Sequence, residues 1–177
     1  MMTRREFIKV AGAGVLAVSC AGMLSGCDAI ESLQDMDFVS VTIGEVKFMV
    51  GSASYTLDGA KRYVKFGTDL LIRNKTKSNV TIPKSAITGT YYCKIDENDE
   101  TYSMKYDHDD IVAQVTPSNE LPTEIGNFSL TTEAEIPENA VSQKVEFRIT
   151  YGGYEAVFAY SMTNDDWILP PKKEEIK

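Results

Sequence analysis

Six oxygen-bearing side chains fall close together in the middle of the chain: Asp96, Asn98 and Glu100, then Asp107, Asp109 and Asp110. Oxygens at every second residue have the ligand spacing of calcium loops, where carboxylate and amide oxygens hold a hard cation. A weak Ca2+ or other divalent-cation site is therefore one reading of residues 96–110. Against it, the first triplet lacks the glycine at the sharp turn and the distal bidentate glutamate of an EF-hand. A strand from Tyr102 to Tyr106 would also hold the triplets about five residues apart, at ~3.3 Å each, too far to share one ion. A plain solvated hairpin turn is the simpler reading of these acids. His108, the one histidine, sits within Tyr106-Asp107-His108-Asp109-Asp110. A Ser-His-Asp triad would have to use it, and its acidic loop offers no nucleophile beside it. Nucleophile-elbow, phosphate-loop and metalloprotease motifs are all missing. Zinc held by several His or Cys ligands is not expected, since the mature chain would offer one free residue of each kind, His108 and Cys93. The expectation is a non-enzyme with no cofactor beyond the calcium reading.

The other residue built for chemistry is Cys27. The chain opens Thr3-Arg4-Arg5-Glu6-Phe7-Ile8-Lys9, followed by a mildly apolar run from Val10 to Leu24. A charged start before a short apolar run has the form of an export signal. The run spans about 15 residues, short of the ~20 that cross a bilayer as a helix, and its glycines weaken helix formation. Thr3 to Lys9 resembles the twin-arginine export motif, with Arg4, Arg5 and Phe7 at its signature positions and Ile8 where leucine is usual. Such a motif is an address read by a receptor. Leu24-Ser25-Gly26-Cys27 resembles a bacterial lipobox, whose cysteine sulfur takes a diacylglyceryl group while the signal is cut just before it. Cys20 competes, but Ala17-Val18-Ser19 lacks the aliphatic residue at the first position. Together the two motifs predict a chain held by acyl chains such as palmitate on the outer face of the cell membrane.

Composition agrees with a soluble domain beyond that anchor. The 177 residues are 43% hydrophobic and 25% charged, with net charge -8, which suits one domain with a core of its own. Because Arg4, Arg5 and Lys9 lie in the signal against Glu6 alone, the remainder is more acidic still. That balance repels nucleic-acid backbones, so no nucleic-acid partner is expected. With Cys20 removed and Cys27 lipidated, Cys93 stays alone and no internal disulfide forms. Cys93 alternates with Tyr91 and Ile95, as a small buried hydrophobe on a strand would.

Two-residue alternation bounded by turn residues runs from Val39 onward, which is the signature of strands. Val41 and Ile43 are followed by Val46, Phe48 and Val50, and the parity change at Gly44-Glu45 predicts a β-bulge. After a turn around Asp58-Gly59, Val64, Phe66, Thr68, Leu70 and Ile72 share one face, with Lys65, Asp69 and Arg73 on the other. A turn at 74–79 leads to a short strand at Val80 and Ile82, ended by Pro83. Strands near Thr90–Ile95 and Thr101–Tyr106 flank an acidic turn, Asp96 to Glu100. A strand from Phe128 through Leu130 and Ala134 ends at Ile136-Pro137. Gly152-Gly153 sets the last hairpin, pairing Tyr151 with Tyr154, Ile149 with Ala156, Phe147 with Phe158 and Val145 with Tyr160. No helical period is sustained after the signal. Seven or more antiparallel strands in this length predict an all-β, immunoglobulin-like antiparallel β-sandwich behind a helical signal segment, because a single flat sheet would leave its apolar face in water.

The order of these features resembles the telokin-like, immunoglobulin-fold domains of unknown function found in lipoproteins of Gram-positive bacteria. The resemblance rests on the Tyr63–Ile72 strand with its Asn74 turn, the acidic hairpin before Tyr102, the Gly126-Asn127-Phe128 strand and the final hairpin, and covers most of residues 39–162. It implies an immunoglobulin-like sandwich outside the cytoplasmic membrane and supplies no catalytic residues. The short tether and the acidic, glycine-free turn at 96–100 depart from it. The expected organisation is a signal peptide at 1–26, lipidated Cys27 and a tether to residue 38, a sandwich at 39–163 and a tail at 164–177. Within the tail, Trp167-Ile168-Leu169 is expected to clasp the sandwich and Lys172–Lys177 to be disordered. Ten or so tether residues reach at most ~35 Å. The function expected is a membrane-anchored, non-catalytic module binding an envelope protein, a peptide or a glycan. Its alternative is a weak cation or small-solute domain using residues 96–110.

Overall fold

The computed structural model describes residues 38–57, 62–117 and 120–176. The export signal, Cys27, the tether as far as Asp37 and the expected Asp58-Gly59 turn lie outside them. Among the described residues twelve strands follow one another: β1 (Val39–Ile43), β2 (Val46–Leu57), β3 (Val64–Asn74), β4 (Val80–Ile82), β5 (Ile87–Ile95), β6 (Asn98–Tyr106), β7 (Ile111–Ala113), β8 (Thr123–Thr132), β9 (Val141–Tyr151), β10 (Tyr154–Ser161), β11 (Asp166–Trp167) and β12 (Lys172–Glu175). A single 3-10 turn, Lys84–Ala86, stands between β4 and β5. Among the described residues no helix is long and apolar enough to cross a membrane.

The architecture is all-β, and its strand ladders are antiparallel. One large sheet runs β1-β2-β3-β8-β6-β5-β9-β10-β11, with β12 also on β10, and β4 with β7 makes a separate pair. The large sheet is rolled on itself. Phe66 on β3 and Phe147 on β9 are four strands apart in the sheet, yet their ring centroids lie 6.2 Å apart. At the seam β1 lies against β10 and β12, so the roll is nearly closed like a barrel. This shape follows from the alternation: Val64, Phe66, Leu70 and Ile72 of β3 point inward to meet Val145, Phe147 and Ile149 of β9 and Phe158 of β10, all buried. A flat sheet would have left that apolar face wet.

Several sequence expectations hold to the residue. The β9–β10 register is Tyr151↔Tyr154, Ile149↔Ala156, Phe147↔Phe158 and Val145↔Tyr160, with Thr150 opposite Glu155 and Arg148 opposite Val157. Cys93 is fully buried. Trp167 does act as a clasp: its indole N–H donates to the Gly51 carbonyl at 2.8 Å, and its ring packs edge-on against Phe66, Phe147, Phe158 and Tyr160.

Others are corrected. The parity change at Gly44-Glu45 is a hairpin turn, because Ile43 pairs with Val46 directly across it. Gly44 there has φ +59° while Glu45 stays out of the left-handed region, the pattern of a turn that needs glycine first. The bulge lies further on, between Val50 and Ala53. Arg73 is not on an open face with Lys65 and Asp69 but is 1% exposed. The acidic turn is tighter than expected: Ile95 pairs with Asn98, so only Asp96 and Glu97 turn, at φ 48° and 68°. β8 stops at Thr132 rather than Ile136. Beyond it, the Ile136 N–H donates to the Arg62 carbonyl, and the Arg62 guanidinium donates back to the carbonyls of Ile136 and Pro137 at 2.7 and 2.9 Å, drawing the chain off the sheet. The tail past residue 163 belongs to the sheet: Lys172 to Glu175 pair with Val157 to Tyr154 of β10. An otherwise open β10 edge and the Arg148–Glu174 ion pair at 2.8 Å account for its order.

Candidate functional site

Where β6 ends, the chain turns through Asp107–Asp110 and crosses towards β7, and this loop forms one wall of a cleft of about 740 Å³. The other walls are the 3-10 turn, the facing stretches of β5 and β6, and Glu133. Each wall is fixed. The Asp110 carboxylate accepts the Lys84 backbone N–H at 2.8 Å, tying loop to turn. His108 lies 3.1 Å through Nε2 from the Ser129 hydroxyl, and its ring stands 5.3 Å from that of Tyr106. Tyr106 in turn stacks on Phe128 at 5.2 Å. The Glu133 N–H donates to the Ser103 carbonyl at 2.9 Å, closing the strand edge behind it. Gly89 lets β5 sit tightly here, since a Cβ would come within 3.0 Å of Leu130 Cδ1 and 3.1 Å of Met104 Cβ.

The lining mixes apolar surface from Ile87, Met104 and Tyr106 with polar groups of both signs. Lys84 and Lys105 bring ammonium groups, Asp107, Asp109 and Glu133 carboxylates, and Ser85, Thr88, Thr90 and Ser103 hydroxyls. Lys105 and Asp107 approach to 3.4 Å at the exposed rim, a contact of small energetic weight. Burial, then the nearby Asp109 charge, push the Tyr106 phenol above its ordinary range, so it stays a neutral donor. Ser129 is only 5% exposed. Its bond with His108 therefore pins the loop, and its hydroxyl does not open onto the cleft. The arrangement can bind polar groups through many donors and acceptors at once.

The six oxygen-bearing residues of the alternative cation reading are distributed as follows. Asp96 is in the β5–β6 turn, where its carboxylate accepts from the Asn139 amide at 2.8 Å. Asn98 begins β6 and donates to the Asp96 carbonyl at 3.2 Å, while Glu100 stands opposite Cys93. Asp107, Asp109 and Asp110 are at the other end of β6, and the first two line the cleft. Among the described residues no group of three or more His, Cys, Asp or Glu is gathered to hold a metal ion. Burial, then the Glu100 charge, push the Cys93 thiol upward and keep it protonated. Tyr91 is core, its hydroxyl 2.7 Å from that of Ser142, and Tyr92 is half-buried under the Lys144 ammonium, 4.0 Å from the ring centre.

Sequence reasoning missed the cleft's other side, Lys84 to Thr90 with Ser103 and Glu133. No spacing signal links them, because the β5–β6 pairing and the Glu133 bond bring them together. It also missed an ionic cluster on the outer face of β9, where Arg148 pairs with Glu146 at 2.8 Å, Glu155 at 2.7 Å and Glu174 at 2.8 Å. The alternation Lys144, Glu146, Arg148 was the available signal.

No known protein family, curated protein or solved structure matches this chain.

Proposed function

We propose that this chain is a lipoprotein exported by the twin-arginine route, anchored through Cys27 on the outer face of the cell membrane, with a non-catalytic binding module as its folded part. On this reading the rolled sheet is an immunoglobulin-like sandwich of the telokin-like kind, its two faces joined at the edges. The export and anchor motifs in residues 3–27 support the location. The observation that carries the binding reading is the cleft beside Asp107–Asp110: fixed walls, convergent polar groups and room for a peptide side chain or a sugar ring. Its ligand is an envelope protein, a peptide or a glycan. A small polar solute or a divalent cation is the second reading of the same cleft, favoured by Asp107 and Asp109 on its lining.

The test is thermal unfolding of the processed protein against panels of peptides and oligosaccharides and against millimolar calcium, in parallel with Thr88→Trp, which fills the cleft. A ligand of the folded state raises the midpoint by mass action. The expected result is a rise with a peptide or glycan that Thr88→Trp abolishes. A rise with calcium alone, removed by Asp107→Asn with Asp109→Asn, would favour the second reading, and no rise with any of these would count against both.

A further inference from the structure

Away from the cleft, the outer face of β2 and β3 is more buried than its strands explain. Val46, Phe48 and Val50 of β2 belong to the core, so Lys47 and Met49 point outward, where the register sets them opposite Arg73 and Leu71. Met49 is nonetheless fully buried, Arg73 is 1% exposed and Leu71 is half-buried. Among the described strands, β2 is in extended contact only with its in-plane neighbours β1 and β3. The same face is cationic. Lys47, Arg73 and Lys75, with Glu45 as the one acid beside them, line a pocket of about 280 Å³. Each of the three cations has a bonding partner, and a guanidinium as buried as that of Arg73 is tolerated only when it is paired.

We propose that this face docks the acidic tether of the same chain, residues 28–37, as a strap. The start of β1 puts that segment within reach. Val39 pairs with Val50, and the Phe38 ring stands within 2.7 Å of where a Cβ on Gly51 would be, so the preceding residues leave the sheet from beside Met49. Lys47 and Arg73 lie about three residues further along the strands, or ~10 Å, well inside the ~35 Å that ten residues can span. Charge is complementary: Asp28, Glu31, Asp35 and Asp37 are the charged residues of the tether, and none is basic. Apolar groups match as well, since Ile30, Leu33 and Met36 recur at every third position and supply cover for Met49 and Leu71. Where Cys27 carries the lipid proposed above, the strap draws the domain down to the membrane in place of a free spacer. The contact itself needs no lipid.

The test is limited thermolysin digestion of the purified full chain in neutral detergent, with cuts before Ile30, Leu33 and Met36 read by mass. Cleavage there follows the fraction of chains whose strap is open. Four chains are compared: wild type, Lys47→Glu with Lys75→Glu, Glu31→Lys with Asp35→Lys, and all four substitutions together. Each pair alone is expected to raise the rate about ten-fold, as attractions become repulsions, and the combined chain to return close to wild type. The Glu31→Lys, Asp35→Lys chain alters no residue of the sheet, so it reads docking even where the face variant folds poorly. Equal rates in wild type and that chain would overturn the proposal, as would a combined chain that folds and is cut as fast as either pair. Protection seen only with vesicles of anionic phospholipid would overturn it in favour of a lipid surface, and protection lost on dilution in favour of a second copy's tether.

Discussion

Single side chains do most of their work here by satisfying one another. Asn74, fully buried, donates through its amide to the carbonyls of Ser78 and Ala113 at 2.9 and 3.1 Å and accepts from the Thr76 N–H and hydroxyl at 3.0 and 2.7 Å. One residue thus shapes the turn after β3 and holds it to β7. Glu146 illustrates a charge whose surroundings set its titration. Burial works against its ionisation, but hydrogen bonding from Arg148 and the charge of Lys144 outweigh it and hold the carboxyl below the usual range. A carboxyl lowered in the fold contributes stability above its unfolded value of about 4.3, and the contribution is lost as pH falls through the lower folded value. Glu146→Gln is therefore predicted to cost about 1 kcal/mol at pH 7 and less at pH 3, a small figure because Arg148 is one-third open to solvent. Urea unfolding of both proteins at the two pH values checks it, and an equal loss at both would contradict it.

At the scale of elements, legibility followed locality. The β9–β10 hairpin was readable because a two-residue glycine turn fixes register and the alternating residues then declare their face. β3 was readable for the same reason, except at Arg73, where burial at the strand end defeats the expectation that a charged residue faces water. Gly44-Glu45 was misread because a bulge and a two-residue turn both shift parity, and only the pairing of Ile43 with Val46 separates them. The charged tail looked disordered because its order comes from β10 and Arg148, both distant in sequence. The cleft was half legible: its acidic loop stood out, and its opposite wall depends on long-range pairing. Trp167 shows how much one clasp joins, since it connects β11 to the bulged part of β2. Trp167→Phe keeps an aromatic ring but removes the indole donor to Gly51. It is predicted to cost about 2 kcal/mol, from one hydrogen bond and lost ring area. Denaturant unfolding measures this, and a change below about 0.5 kcal/mol would mean that the clasp is not a structural tie.

For the whole molecule, the rolled sheet explains how the described residues, with Cys93 as their one thiol and no disulfide among them, keep their fold, through a continuous core in place of cross-links. The same architecture carries the cleft beside Asp107–Asp110 on one part of the sheet. The account turns on the claim that this module is tied to a membrane by lipid on Cys27. Two or more acyl chains, at ~0.8 kcal/mol per buried methylene, suffice for stable attachment. The most direct measurement is fractionation of cells expressing the wild-type chain and Cys27→Ala, with the mass of the mature amino terminus determined for each. The predicted result is wild-type protein in the membrane fraction beginning at a diacylglyceryl-modified Cys27, and Cys27→Ala lacking that lipid and no longer held there by it. A wild-type amino terminus without lipid, or Cys27→Ala still membrane-bound after its signal has been cut, would contradict the account.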